Sequence, residues 1–203
     1  MFDARLRPLI DPPLNRAGRV FAGWGIGANL VSIAGIAAGL SAAGAILVGQ
    51  FGVAIALILL GRLLDGLDGA VARATVKTPF GGYLDIVGDF LFYVSVPLAF
   101  GLADPANLKP AMVLLATFAL TGVSFLALAA VATEADLETS AHGQKSFFYS
   151  TGVAEGGETI LAFLLMCLWP DRFGLIAWIF AVLCAVTVVQ RSLLAWALLR
   201  RGA

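Results

Sequence analysis

Residues 20–61 contain no charged side chain. One membrane crossing takes roughly 20 apolar residues as a helix, so this stretch is long enough for two antiparallel transmembrane helices. The rest of the chain agrees, being 60% hydrophobic and only 13% charged over 203 residues, with the charges gathered in a few places. Further apolar runs extend from Leu84 to Leu102, Pro110 to Thr133, Thr151 to Trp169 and Phe173 to Leu199. The expectation is an all-α, polytopic membrane protein with six transmembrane helices, in one unit spanning 1–203.

An even number of spans puts both termini on one side. Arg5, Arg7, Arg16, Arg19, Arg62, Arg73, Lys77, Lys145, Arg191, Arg200 and Arg201 fall at or near one face, and only Lys109 and Arg172 at the other. By the positive-inside rule the richer face is cytoplasmic, which predicts an inner-membrane protein with both termini and any site on that face in the cytoplasm. Formal net charge is +0, which points to no nucleic-acid partner and makes the basic residues anchors to anionic lipid headgroups. Cys167 and Cys184 both lie in apolar runs and read as packing residues, not as a disulfide framework.

The N-terminus begins with Asp3, Arg5 and Arg7 and has no apolar run before Pro12-Pro13, unlike a cleavable signal peptide. Phe2, Leu6, Leu9 and Ile10 recur at helical spacing, so residues 1–20 read as an interfacial segment with a short helix, or else as a disordered leader. Pro12-Pro13 is expected to break any helix there. The first span is expected from Trp24 to Leu40, followed by a small-residue turn over Gly39–Gly44. Asn29 and Ser32 lie three apart and share a face, either bonding to each other or to a neighbouring helix, or contributing to a site.

The second and third spans carry the chemistry. Asp65 and Asp68 are i and i+3 at the end of the second, and Asp85 and Asp89 are i and i+4 at the start of the third. Each pair therefore projects from one helix face. Thr75 to Pro79 is a tight polar connection, with the third span beginning close to Gly81, so the two helices are antiparallel neighbours and the pairs can converge. Four carboxylates together repel unless a cation or protons intervene. Oxygen-only ligands without His or Cys argue against zinc and for Mg²⁺ or Mn²⁺, with enough acids for one or two ions.

Gly61, Gly69 and Ala72 on the second helix, and Gly81 and Gly88 on the third, lie on the carboxylate side. They allow a ligand close to the backbone, and equally allow close helix packing. Arg73 flanks the acidic face beside Gly69, where its forked guanidinium suits a phosphate; the alternative is an interfacial anchor. Metal ligands, arginine and a cleared surface together describe a phosphate-transfer site.

Asp65-x-x-Asp68-Gly69-x-x-Ala72-Arg73, then seven residues, then Gly81-x-x-x-Asp85-x-x-x-Asp89 resembles the signature of the CDP-alcohol phosphotransferases at every fixed position. The resemblance implies the family's six-helix fold and homodimer, and transfer of a substituted phosphate from a CDP-linked donor, usually CDP-diacylglycerol, to an alcohol with release of CMP. It implies that Asp65, Asp68 and Asp85 hold metal, that Asp89 completes a second metal site and is the general base, and that Gly69, Ala72, Arg73 and Gly81 contact the CDP moiety, with Asn29 a further candidate. Ala28-Asn29-Leu30-Val31-Ser32 departs from the Pro-Asn-x-x-Thr of glycerophosphate-using members, which counts against phosphatidylglycerophosphate synthesis.

The acceptor side is less defined. Lys145 and Arg191 are cations that could bind the phosphate of inositol phosphate or glycerol phosphate, although Arg191 could equally be a snorkelling anchor. The polar stretch Glu134 to Ser150 ends in Phe147-Phe148-Tyr149, which resembles an interfacial aromatic anchor. Glu155 and Glu158 either complement the N-terminus of the fifth span or face the site. Intramembrane acids also line ion pathways, so a divalent metal-ion transporter or channel is the alternative; the acids, however, gather at one face only.

Overall fold

The computed structural model describes residues 2–134 and 152–202, and side chains over 10–131 and 152–197. Among them are seven α-helices and no strand: α1 Phe2–Gly23, α2 Ala28–Leu47, α3 Phe51–Ala74, α4 Pro79–Ala103, α5 Leu108–Glu134, α6 Gly156–Leu168 and α7 Phe173–Gly202. One-turn 3-10 helices at Pro105–Asn107 and Pro170–Arg172 lead into α5 and α7. Four of these helices, among the described residues, are long and apolar enough to cross a membrane: α2, α4, α5 and α7. α3 misses that standard because Arg62, Asp65, Asp68 and Arg73 fall in its second half, and α6 because it has only 13 residues. The six crossings expected from the sequence thus need α3 and α6 to be counted on other grounds.

Several boundaries differ from expectation. Pro12-Pro13 does not break α1, which runs through to Gly23. Proline keeps a helical φ but costs its own donor and crowds the carbonyl one turn back, about 3 kcal/mol or more within a helix. Packing against α3 and α2 is what opposes that cost. Leu14, Ala17 and Phe21 pack on Val31, Leu67 and Val71, and a Cβ on Gly18 would come within 2.6 Å of the Ala70 carbonyl carbon.

The first span runs on to Leu47, and the chain turns at Gly49, whose φ of +72° suits a residue without a Cβ. Gly39, Ala42 and Ala43 are packing positions within α2 rather than a turn, with Gly39 seated on the Phe92 ring. α6 begins at Gly156, five residues later than expected. Thr187 Oγ1 on α7 accepts hydrogen bonds from Val153 N at 3.1 Å and Ala154 N at 2.9 Å, holding these residues out of the helix.

Small residues let the site-bearing helices approach. A Cβ on Gly35 of α2 would lie 3.5 Å from Gly61 O of α3, and one on Gly61 would lie 3.4 Å from Gly35 O. In an apolar solvent this close fit, not water release, is what favours association. Aromatic rings join the remaining helices: Phe100 and Phe173 stack at 4.5 Å between α4 and α7, and Phe92 and Phe163 meet edge to face at 5.3 Å between α4 and α6. Cys167 and Cys184 are free and buried here, as expected of packing residues.

Candidate metal centre and its two cavities

The α3–α4 connection is Thr75–Thr78. Thr78 caps α4, its Oγ1 accepting from Gly81 N at 3.0 Å, and Pro79 sits at the first helical position, where its missing donor costs nothing. α4 therefore starts two residues before the position expected near Gly81. This short turn sets the two helices antiparallel, and the pairs of acids do converge. One carboxylate oxygen each from Asp65, Asp68 and Asp85 lies within 4.8 Å of the others. Hard divalent cations such as Mg²⁺ and Mn²⁺ take such oxygen-only sets, so these residues fit one.

α2 completes the floor. Ser32 Oγ donates to Asp68 Oδ2 at 2.5 Å, and both residues are buried. Of the readings open for Ser32, a bond to a neighbouring helix is the one seen, and its acceptor is one of the four acids. Asn29, one turn earlier, has its Oδ1 3.2 Å from where a Cβ on Gly81 would stand. Side chains or backbone of Asn29, Gly69, Ala72, Arg73 and Gly81 all line a cavity of about 1140 Å³ that also opens onto the four acids. Arg73 folds back over Gly69, with NH1 3.4 Å from a Cβ placed there, while its Nε donates to Asn15 Oδ1 of α1 at 3.0 Å.

Asp89, one turn on from Asp85 in α4, pairs with Arg62 of α3. Its Oδ1 accepts from Arg62 NH1 at 2.6 Å, and the same nitrogen is 3.6 Å from Asp65 Oδ2. The Arg62 guanidinium carbon stands 4.5 Å over the Phe92 ring, a cation–π contact. From sequence Arg62 counted only towards topology. Its position three residues before Asp65, on the same face, was the available signal, because antiparallel packing brings that turn level with Asp89.

A second cavity, about 320 Å³, lies on the other side of Asp85 and Asp89, and its lining includes Tyr93, Glu155, Thr159 and Arg191. Arg191 is 9% exposed; its NH1 donates to Thr121 O of α5 at 2.9 Å, and its guanidinium carbon lies 5.5 Å from the Phe125 ring centre. It is thus an interior residue rather than a snorkelling anchor. Lys145, the other cation expected there, lies outside the described residues, as does most of the 134–150 stretch. Glu155 stands at the N-cap position of α6, without a side-chain cap bond, and Glu158 in its first turn. Thr121 and Thr187 carry no motif, and sequence reasoning passed over both.

Residues 26–190 match the family model described as CDP-alcohol phosphatidyltransferase. The chain is 45% identical over 192 residues to the inner membrane protein YnjF of Escherichia coli (strain K12), covering 94% of this chain and 93% of that one. It is 30% identical over 189 residues to the archaetidylinositol phosphate synthase of Pyrococcus horikoshii, covering 93% of each. The fold resembles Mycobacterium tuberculosis phosphatidylinositol phosphate synthase with CDP-DAG bound (TM-score 0.66, 22% identity, 90% of this chain and 93% of that one). It matches the same enzyme in complex with manganese and citrate equally well, over 90% and 88%. The chain belongs to the CDP-alcohol phosphatidyltransferase family, enzymes that transfer substituted phosphate groups in phospholipid synthesis.

Proposed function

We propose that the protein transfers a phosphatidyl group from CDP-diacylglycerol to the hydroxyl of a small alcohol, releasing CMP, at the cytoplasmic face of an inner membrane. The observation that carries this is Asp89 on the wall between two cavities of unequal size. The larger is spacious enough for a nucleotide headgroup, and the smaller suits a small acceptor. A solved relative has CDP-DAG bound and another form holds manganese, which supports the same donor and a divalent ion here.

Asp65, Asp68 and Asp85 would hold Mg²⁺ or Mn²⁺. Such an ion, when bound, supplies positive charge beside the diphosphate. Arg73 presents its guanidinium to a phosphate oxygen, and Gly69, Ala72 and Gly81 leave room for the CDP moiety, with Asn29 at its edge. Asp89 takes the proton from the acceptor hydroxyl as that oxygen bonds to the lipid-linked phosphorus and the bond to CMP breaks. Arg191 and Lys145 are the cations that would meet a phosphorylated polyol such as inositol phosphate or glycerol phosphate.

The same reading treats 1–203 as one unit with six crossings, counting α3 and α6, and α1 lying in the interface over α3. Cys accessibility scanning from each side of the membrane would test that topology. The reading includes a homodimer, as the signature's resemblance implies, which native mass spectrometry in detergent would check. The reaction is tested by Asp89→Asn, which should abolish CMP release while CDP-diacylglycerol still binds. Near-normal release would remove Asp89 as the base.

A further inference from the structure

We propose that Thr187 is a positioning residue for the acceptor: its hydroxyl pins the chain entering α6, and so fixes where Glu155 stands relative to Arg191 in the smaller cavity. The inference rests on the reading of that cavity as the acceptor side. Three observations support it.

The first is saturation of the hydroxyl. Thr187 is 0% exposed, and its Oγ1 accepts from Val153 N at 3.1 Å and Ala154 N at 2.9 Å while donating to Leu183 O at 2.9 Å. A hydroxyl has one proton and two lone pairs, and all are used here. Two backbone donors ahead of α6 thus find their acceptor on α7 and not in water. The second is fit. A Cβ on Gly152 would come within 2.5 Å of Thr187 Cγ2, so the chain rests on the threonine methyl as well as on its oxygen. Glu155, which follows, is extended at φ −115° and ψ −175° and is the N-cap of α6. Without its anchor this segment would be free to shift or to wind into α6, and a change from extended to helical backbone redirects the side chain.

The third is location. Ala154, Glu155 and Gly156 line the smaller cavity, and Glu155 acts electrostatically on the Arg191 guanidinium. Arg191 follows Thr187 by about one turn of α7, on the same face, and is bonded to Thr121 O of α5. One face of α7 therefore grips the entry to α6 through Thr187 and α5 through Arg191, and both gripped segments line the cavity. Thr187 itself is not part of the lining, so it acts on an acceptor only through the wall it holds.

The test is CMP release by the purified full chain in detergent, with CDP-diacylglycerol, Mn²⁺ and inositol, glycerol or their monophosphates in turn as acceptor. Thr187→Val keeps the shape of the side chain but accepts no hydrogen bond. A wall misplaced by about 1 Å can cost up to about a hundredfold, so the acceptor KM should rise about tenfold or more while donor KM and Mn²⁺ affinity stay within about twofold. Amide exchange over 152–156, read by mass spectrometry, should quicken in the same variant. Thr187→Ser, which keeps the hydroxyl, should behave as the wild type. Gly152→Ala should also raise the acceptor KM, and adding Thr187→Ser, which removes the methyl that the new Cβ would strike, should recover most of the loss. An unchanged acceptor KM in Thr187→Val, or donor and acceptor KM rising together, would overturn the proposal while sparing the function reading. If Thr187→Val does not fold, the Gly152 pair decides, and no recovery in the double variant would overturn the proposal. No CMP from the wild type with any of these acceptors would overturn both.

Discussion

The two cavities meet at the same pair of carboxylates yet are built in opposite ways. The larger is walled mostly by α3 and α4 around one tight turn, so its residues are neighbours in sequence as well as in space. The smaller is assembled from α4, α5, α6 and α7, bringing Asp85 together with Arg191 across more than half the chain. A local wall can be read from spacing alone. A wall made of distant helices depends on packing that no motif announces.

If the larger cavity is the ion and donor side, the greatest loss should come from its carboxylates. Asp85→Asn should abolish Mn²⁺ binding and turnover together, and retained Mn²⁺ binding at wild-type affinity would blur the distinction between the cavities. Asp89→Asn comes next: losing a general base typically costs about 10²- to 10⁴-fold in rate, and here Mn²⁺ binding should survive. Arg191→Met belongs to the smaller cavity alone. It removes a charge-assisted bond of about 1.5–3 kcal/mol, so the acceptor KM should rise about tenfold or more with donor binding unchanged. A weakened donor would merge the two sides.

Ser32→Ala should act on the larger cavity indirectly, by releasing Asp68. Loss of a residue that orients a metal ligand commonly costs about 10- to 100-fold in metal affinity, which a Mn²⁺ titration would measure. Asn15→Ala should be the mildest, since its bond to Arg73 is exposed and worth at most about 1 kcal/mol. A KM for the donor that rises less than about fivefold is expected, and a larger rise would make Asn15 itself a donor-binding residue.

The sequence disclosed the convergence of the two pairs of acids well because the acids, glycines and arginine sit at fixed helical intervals on two adjacent helices. It disclosed less wherever tertiary packing overrode local signals. Pro12-Pro13 lies inside a helix because α1 is held on α3. Gly39 and Ala42 read as a turn because small residues serve turns and helix contacts alike. Arg62 was legible only as a charge near a membrane face, and its bond to Asp89 needed the register of two helices. Thr121 and Arg191 are 70 residues apart, and their pairing has no local signature.

If these carboxylates serve phosphatidyl transfer rather than ion passage, purified protein should release CMP from CDP-diacylglycerol in the presence of Mg²⁺ or Mn²⁺ and at least one alcohol from a panel of phosphorylated and unphosphorylated acceptors, and chelation should stop the release. No CMP with any acceptor, alongside divalent-ion flux through the protein in liposomes, would contradict it.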